Sequence, residues 1–181
     1  MDILIEDKKY ITKKIQKIIA LRSLFSLIFK VVAFLLVLYL TFTYVFGFVI
    51  SSGLSMYPRV SDSDLLLYYR LDEKYKTGDI LVFENDGKEY ISRVVGTGGQ
   101  TIDIDKDGNL IVDNHVVDEK IVYRTYKDKT SSISFPYTIP DGQYFVLGDF
   151  RMNSTDSRNF GAIDKSQIKG SVINLLRSRD L

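Results

Sequence analysis

The longest hydrophobic run in the chain is VVAFLLVLYLTFTYVFGFVI, residues 31–50, which contains no charged residue. A helix of this length rises about 30 Å, enough to cross the hydrocarbon core of a bilayer. A buried helix of a soluble protein rarely stays apolar on every side, and a cleavable signal sequence is shorter and ends in an A-x-A-like site, which is missing here. The pattern therefore predicts a transmembrane anchor over residues 21–50, with Arg22 and Lys30 reaching towards the headgroups.

The segment before the anchor, residues 1–20, has hydrophobic positions at helical spacing with lysines between them. This pattern predicts an amphipathic segment on the membrane surface, with a solvated tail as the alternative. Residues 1–30 hold seven lysines and arginines against three acidic residues, so the positive-inside rule places this end in the cytoplasm. We then expect a single-pass protein of the cell membrane. The isoleucines that carry the pattern are Ile11, Ile15, Ile18 and Ile19.

Beyond residue 50 the hydrophobic positions fall in short alternating runs separated by turn signals such as NDGK (85–88) and KDGN (106–109). We therefore expect a mostly β fold: the N-terminal transmembrane helix, then an extracytoplasmic domain of antiparallel β-sheets over residues 51–181. Helical turns are expected only near 154–159 and 164–168. The expected strands are 64–70, 79–84, 89–95, 101–105, 110–118, 143–150 and 171–176, with 101–105 and 110–118 forming a hairpin.

Composition narrows the chemistry of this domain. Residues 51–181 hold 17 basic and 20 acidic residues, which argues against nucleic-acid binding. The chain has no cysteine, so thiol nucleophiles, disulfides and cysteine metal sites are excluded. A single histidine, His115, cannot build a histidine-rich metal site. No metal and no organic cofactor are expected.

Four motifs follow the anchor: SGLSMYP (52–58), GDILVF (78–83), YISRVVGTGG (90–99) and LGDFRMNSTDSRNFG (147–161). The first is weak alone and the last is the most specific, and together, in this order behind an anchor, the four resemble the conserved boxes of the bacterial type I signal peptidases. These are membrane serine endopeptidases with a serine–lysine dyad, and the resemblance covers nearly the whole chain. It implies removal of signal peptides from translocated preproteins at the outer membrane face, with small residues at positions −1 and −3 of the cleavage site.

The resemblance assigns the first motif to the nucleophile. Ser55 corresponds to the serine that attacks the scissile carbonyl, and its backbone N–H to an oxyanion donor. Gly53, Met56 and Pro58 correspond to residues that shape the substrate cleft. Gly53 also stands where some members of the family carry a second hydroxyl for the oxyanion hole.

The resemblance assigns supporting roles to residues of the last two motifs. Arg93 and Asp149 correspond to an ion pair beneath the active site. Ser154 corresponds to a hydroxyl that orients the catalytic amine. Asp156 and Arg158 correspond to a second supporting ion pair.

The residue at the position of the dyad lysine is Ser92. A serine nucleophile needs a neighbouring base to take its proton, and a buried lysine with a lowered pKa can do so. The Ser92 hydroxyl is no base near neutral pH. Arg93 keeps its proton and points to the opposite face of the strand, and Lys88 lies about 13 Å back along it. His115 falls at the DNHV turn, outside every motif, so we expect this chain to be a poor peptidase or none.

Four further positions depart from the family pattern. Arg59 replaces a small polar residue, Gly98 a proline, Gln100 an acid and Phe150 an asparagine. The glycine is shared with many Gram-positive members. The other three indicate a specialised or diverged branch.

Three explanations of Ser92 remain open. In the first, an active peptidase has been inactivated by engineering at this position. In the second, the serine is natural and the chain is a non-catalytic homologue. In the third, another base acts in place of the lysine. The second would make the chain a binding or chaperone module for pilin precursors in pilus assembly, as diverged relatives of these peptidases accompany pilus assembly in Gram-positive bacteria. The expected partners are therefore signal peptides, pilin precursors among them, and the lipid bilayer. A membrane protein without a cleft is disfavoured, because the other motif residues are retained.

Overall fold

The computed structural model describes residues 2–119, 121, 123–127 and 133–177, and the side chains of the N-terminal helix from Lys13 onward. The chain divides into two units, Met1–Tyr44 and Val45–Leu181. Each unit is described by itself.

The first unit is a single helix, α1 (Asp2–Leu40), which continues into a π-helical turn (Thr41–Val45). Its segment Lys13–Val45 has a mean hydropathy of 2.4 and is long and apolar enough to cross a membrane. The helix passes the expected boundary at residue 20 without a break. Ile11 and the lysines before Lys13 lie outside the described side chains, so the amphipathic surface segment stays a prediction.

The expected anchor is wrong at its C-terminal end. Residues Phe46–Ile50 form strand β1, which pairs with strand β2 (Leu65–Tyr69) from Phe46↔Tyr69 to Ile50↔Leu65. Gly47 allows this pairing, because a Cβ atom there would lie 2.3 Å from the Tyr68 ring. Aromatic and β-branched residues suit a strand as well as a membrane helix, so apolarity could not place the boundary.

The second unit contains a seven-stranded antiparallel sheet in the order β1-β2-β11-β3-β4-β9-β10. The predicted β3–β4 hairpin is confirmed, with Asp86 and Gly87 at φ of 49° and 74°, as a type I′ turn requires. The strands are β1 (Phe46–Ile50), β2 (Leu65–Tyr69), β3 (Ile80–Asn85), β4 (Lys88–Thr97), β9 (Gln143–Leu147), β10 (Ile163–Asp164) and β11 (Ile168–Leu176).

A second sheet has the order β7-β6-β5-β8 and is also antiparallel. The expected single strand over 110–118 is wrong. It is a hairpin of two strands, because Asp113 and Asn114 adopt φ of 50° and 64°, a conformation that Asp and Asn tolerate. The strands are β5 (Thr101–Ile104), β6 (Leu110–Val112), β7 (His115–Val116) and β8 (Tyr137–Thr138).

The expected helical turns are confirmed near both predicted places. Helix α2 (Ser157–Phe160) is capped by Asp156, and a 3₁₀ turn (Lys165–Gln167) follows β10. A further 3₁₀ turn (Arg151–Asn153) follows β9. Strands β1, β8 and β10 were not expected.

The core lies on both faces of the large sheet. In β3, Leu81 and Phe83 pack in one cluster with Val94, whereas Val82 packs in another with Met56. Burial on both faces explains why this strand is a continuous apolar run rather than an alternating one. The second cluster includes the residue that follows Ser55, and so the core reaches the candidate nucleophile.

Candidate active site

Ser55 lies in the turn between β1 and β2, with its side chain half-buried. The next residue, Met56, is only 2% exposed and packs against Val82, which fixes the turn to the sheet. Gly53 has a φ of 83°, and its N–H donates to Asp62 Oδ1 at 2.7 Å. The conformation of Gly53 favours glycine, which accounts for the missing second hydroxyl at this position.

Gly148 brings the Ser55 turn and Ser154 together. A Cβ atom at Gly148 would lie 2.5 Å from Ser154 Cβ and 2.7 Å from the Ser55 carbonyl oxygen. That carbonyl accepts a hydrogen bond from the Phe150 N–H at 2.9 Å. Only a residue without a side chain allows the two serines to approach this closely.

Ser92 lies on β4 at the level of Gly148, where the Ser55 turn and Ser154 meet. It pairs with Leu81 of β3, while its neighbour Arg93 pairs with Leu147 of β9. Continued by one residue, the β4–β9 register sets Ser92 opposite Gly148. Ser92 is 1% exposed, so a side chain at this position projects into a largely dehydrated environment.

Arg93 and Asp149 form the expected ion pair. Arg93 donates from Nε to Oδ1 at 2.8 Å and from Nη2 to Oδ2 at 2.6 Å, and its Nη1 donates to the Gly78 carbonyl at 2.7 Å. The side chains are 14% and 5% exposed. This two-pronged contact ties β4 to the turn after β9 and so holds Gly148 in place.

Ser154 is held by the second expected ion pair. Arg158 contacts Asp156 through Nε and Oδ1 at 2.8 Å, and both residues are buried. Ser154 Oγ accepts from Arg158 Nη2 at 3.1 Å. It lies 3.0 Å from the Phe150 carbonyl and 3.1 Å from Asp156 Oδ2, and its single proton can go to either. The hydroxyl is therefore fixed, but its own hydrogen bonds are already in use.

A third ion pair, between Arg151 and Glu119, was not found from the sequence. The Arg151 side chain is fully buried and donates to Glu119 Oε2 at 2.7 Å, to the Gly148 carbonyl at 2.9 Å and to Thr125 Oγ1. Arg151 lies inside the fourth motif, which could have indicated it. Glu119 and Thr125 lie outside every motif, so no local signal pointed to them.

Three of the departures from the family pattern have local structural reasons. Phe150 stacks on Tyr123 with ring centroids 4.2 Å apart. A Cβ atom at Gly98 would meet backbone atoms at 2.9 Å. Gln100 accepts from the Thr97 N–H at 2.9 Å, which an acid could also do, but its amide also donates to a carboxylate. Arg59 is exposed, and nothing in its surroundings explains it.

Two further basic side chains, His115 and Lys169, do not provide the base that the dyad lysine would supply. His115 is exposed on β7, with Nδ1 2.8 Å from the Asp113 carbonyl oxygen. Lys169 contacts Glu89 at 2.9 Å, and hydrogen bonds to Glu89 and Glu84 raise its pKa. A general base at neutral pH needs the opposite shift.

A cavity of about 350 Å³ is lined by both Ser55 and Ser154. We call it the serine cleft. Val49, Ile50 and Tyr90 supply apolar wall, and Glu89 supplies a carboxylate. Pro58 lines a different cavity, which also contains Arg93 and Asp149. Among the described residues, no group of three histidine or acidic side chains could hold a metal ion.

The sequence model of the family described as "Signal peptidase, peptidase S26" matches residues 23–176. The chain belongs to this family. Signal peptidase I of Bacillus licheniformis is 31% identical over 161 residues, which is 82% of this chain and 86% of that protein. Signal peptidase I of Bacillus caldolyticus is 35% identical over 146 residues, 71% of this chain and 78% of that protein.

A solved signal peptidase I from Enterococcus faecalis V583 is 26% identical and covers 56% of this chain and 98% of that chain, with a TM-score of 0.46. The family is one of membrane-anchored serine endopeptidases, and an apolar N-terminal helix fits that class. The expected mostly antiparallel β fold behind this helix is confirmed. The roles of the individual site residues stay predictions.

Proposed function

We propose that this signal peptidase homologue binds signal-peptide segments in the serine cleft and cleaves them poorly or not at all. One observation carries the proposal: a buried serine, Ser92, stands opposite Gly148, which meets Ser154 and the Ser55 carbonyl, at the position where the family has its lysine. The expected ion pairs are formed around it. The buried framework is retained in this arrangement, but the group that would take the proton is replaced.

The chemical step would fail at proton transfer. Attack by Ser55 Oγ on a carbonyl carbon forms the new C–O bond only as its proton leaves to a base. In the described chain, no hydrogen bond joins the Ser55 hydroxyl to another group. Loss of a general base usually lowers the rate by about 10² to 10⁴, and more where a dyad acts as a unit.

Oxyanion stabilisation would be partly retained. The Ser55 N–H donates to no acceptor in the part of the chain that the structure describes, so it remains available to a developing oxyanion. Gly53 provides no second donor, because it has no side chain. Tight binding of a carbonyl group and slow hydrolysis are compatible in such a site.

The membrane topology is part of the proposal. The positive charges before the anchor favour a cytoplasmic N-terminus, and the serine cleft then faces the outside of the cell, where translocated preproteins emerge. The similarity to Bacillus proteins supports a Gram-positive origin.

A second candidate is a natural binding or chaperone module for pilin precursors. It is favoured by the presence of the cleft framework around a position that cannot act as a base, since buried ion pairs would serve binding as well as catalysis. If Ser92 was introduced by engineering, this chain would have the same chemistry, but its parent protein would be an active peptidase.

The test uses the full chain in detergent micelles with a labelled signal-peptide substrate. We compare cleavage by this chain, by Ser92→Lys, and by Ser92→Lys combined with Ser55→Ala. Cleavage by the single variant alone supports a silenced peptidase with Ser55 as nucleophile. Binding of signal or pilin-precursor peptides without cleavage by either variant supports the module. Cleavage by the unmodified chain at a rate equal to that of Ser92→Lys would contradict the proposal.

A further inference from the structure

A second cavity, of about 460 Å³, lies near the serine cleft in the same unit. We call it the arginine pocket, because Arg93 and its partner Asp149 form part of its wall. Val94, Val95 and Leu110 give it an apolar lining. Pro58, assigned above to the substrate cleft, also lines it, but no part of a substrate has been assigned to this pocket.

Strand β4 passes from one cavity to the other at Ser92. Residues 89–91 line the serine cleft and residues 93–95 line the arginine pocket. The position of the missing lysine is therefore the division between the two cavities along this strand.

The two loops that meet at Gly148 show the same division. In the turn after β1, residues 52–55 line the serine cleft and residues 58–59 line the arginine pocket. In the turn after β9, Asp149 lines the arginine pocket and residues 153–155 line the serine cleft. A peptide with its scissile bond at Ser55 would thus have one cavity on each side of that bond.

We propose that the arginine pocket receives the first residues of the mature protein, those that follow the cleavage site, while the serine cleft holds the residues before it. This assignment rests on the proposed function. Its direction follows from the chain itself: Val49 and Ile50, which line the serine cleft, come four and five residues after Val45, the end of the candidate span. The apolar part of a signal peptide stays in the bilayer, so the residues before the cleavage site approach from that end.

The chemistry of the arginine pocket fits the soluble start of a mature protein. Arg59 and Asp118 are exposed at its rim, and within the described chain neither side chain forms a hydrogen bond or an ion pair. An apolar floor with opposite charges at its rim suits a short peptide with one apolar side chain between polar ones. A long apolar segment would leave both rim charges desolvated without partners.

The test compares two labelled peptides by fluorescence anisotropy on the full chain in detergent micelles. The short peptide ends with an amide at position −1, and the long peptide continues for five mature residues. We expect the long peptide to bind about tenfold more tightly, as burial of one further apolar side chain would give.

Two matched substitutions separate the cavities, since Thr77 and Thr155 are both exposed and line one cavity each. Thr77→Trp fills the arginine pocket and should remove the advantage of the long peptide while leaving the short one unchanged. Thr155→Trp fills the serine cleft and should weaken both. Arg59→Glu adds no bulk and should reverse the preference between aspartate and lysine in the mature part of the long peptide.

The outcomes distinguish this assignment from the function beneath it. The assignment of the arginine pocket is wrong and the serine cleft stands if the short peptide binds but the long one gains nothing. The same holds if the gain of the long peptide survives Thr77→Trp and its preference between aspartate and lysine survives Arg59→Glu. If neither peptide binds the unmodified chain, the proposed function and this assignment both fail.

Discussion

The two sides of the candidate active site differ in how completely their polar groups are paired. On the framework side, each arginine meets a carboxylate, and the pairs lie almost entirely out of solvent. On the nucleophile side, the described chain gives the Ser55 hydroxyl no hydrogen bond. The geometry of the site and its proton chemistry are therefore separate contributions, and the first can persist without the second. The pairs are Arg93–Asp149, Arg151–Glu119 and Arg158–Asp156.

The largest effect should come from restoring the base. Ser92→Lys places an amine among buried apolar residues, which should lower its pKa, so that cleavage rises by about 10² to 10⁴. The active form of the lysine is neutral, and the rate should therefore increase with pH up to that pKa and then level off. A pH–rate profile checks this. Ser92→Met is the matched control of similar length without an amine, and an equal gain in that variant would contradict the argument.

The next largest effect should be on stability. Arg151→Met leaves the Glu119 carboxylate without its buried partner, and breaking such a pair typically costs about 3 kcal/mol or more. Denaturant unfolding of the full chain in micelles measures the loss. A cost below about 1 kcal/mol would mean that this pair does not hold the framework.

Gly148→Ala should damage the junction of the two serines. Its new methyl group overlaps Ser154 and the Ser55 carbonyl, which should cost about 1 to 3 kcal/mol and weaken peptide binding in the serine cleft. Gly96→Ala is the control, because its methyl group would meet Ile102 and Ile139 in the core instead. It should lose similar stability and keep binding. Equal binding losses would show that the effect is not local.

The smallest effect should come from the surface. Lys169→Met removes a partly exposed contact to Glu84 and Glu89 and should cost less than about 1 kcal/mol. Because these contacts raise the pKa of Lys169, its contribution is present below the ordinary lysine pKa and is lost as pH rises through the raised value. Unfolding at neutral and strongly alkaline pH, compared between the two chains, checks the sign. A difference that grew at high pH would contradict it.

Local signals were enough to predict much of the large sheet. DLLLYYR is a short hydrophobic run between charged residues, and NDGK has the residues that a two-residue turn with positive φ requires, so β2 and the β3–β4 hairpin could be found from the sequence. The DNHV turn was recognised, but without a glycine at Asp113 or Asn114 it was not interpreted as a hairpin, so the β6–β7 pair was missed. Strand β1 was missed because its residues continue the apolar run of the anchor.

The site was predictable where it coincided with a motif. The contacts of Arg93 with Asp149 and of Arg158 with Asp156 were expected from the resemblance and are present. Glu119 reaches Arg151 across 32 positions of the chain, and no periodicity or turn signal encodes such a contact. The role of Gly148 depends on three segments meeting at one backbone atom, which only the fold can show.

The proposed binding without cleavage also bears on how long a peptide would stay in the serine cleft. An active peptidase releases its substrate by cutting it, so residence ends with the turnover. Without a base, departure depends on dissociation alone, and occupancy follows peptide concentration and affinity. Such a chain would compete with active signal peptidases of the same membrane for emerging preproteins, and it would delay their maturation in proportion to its abundance.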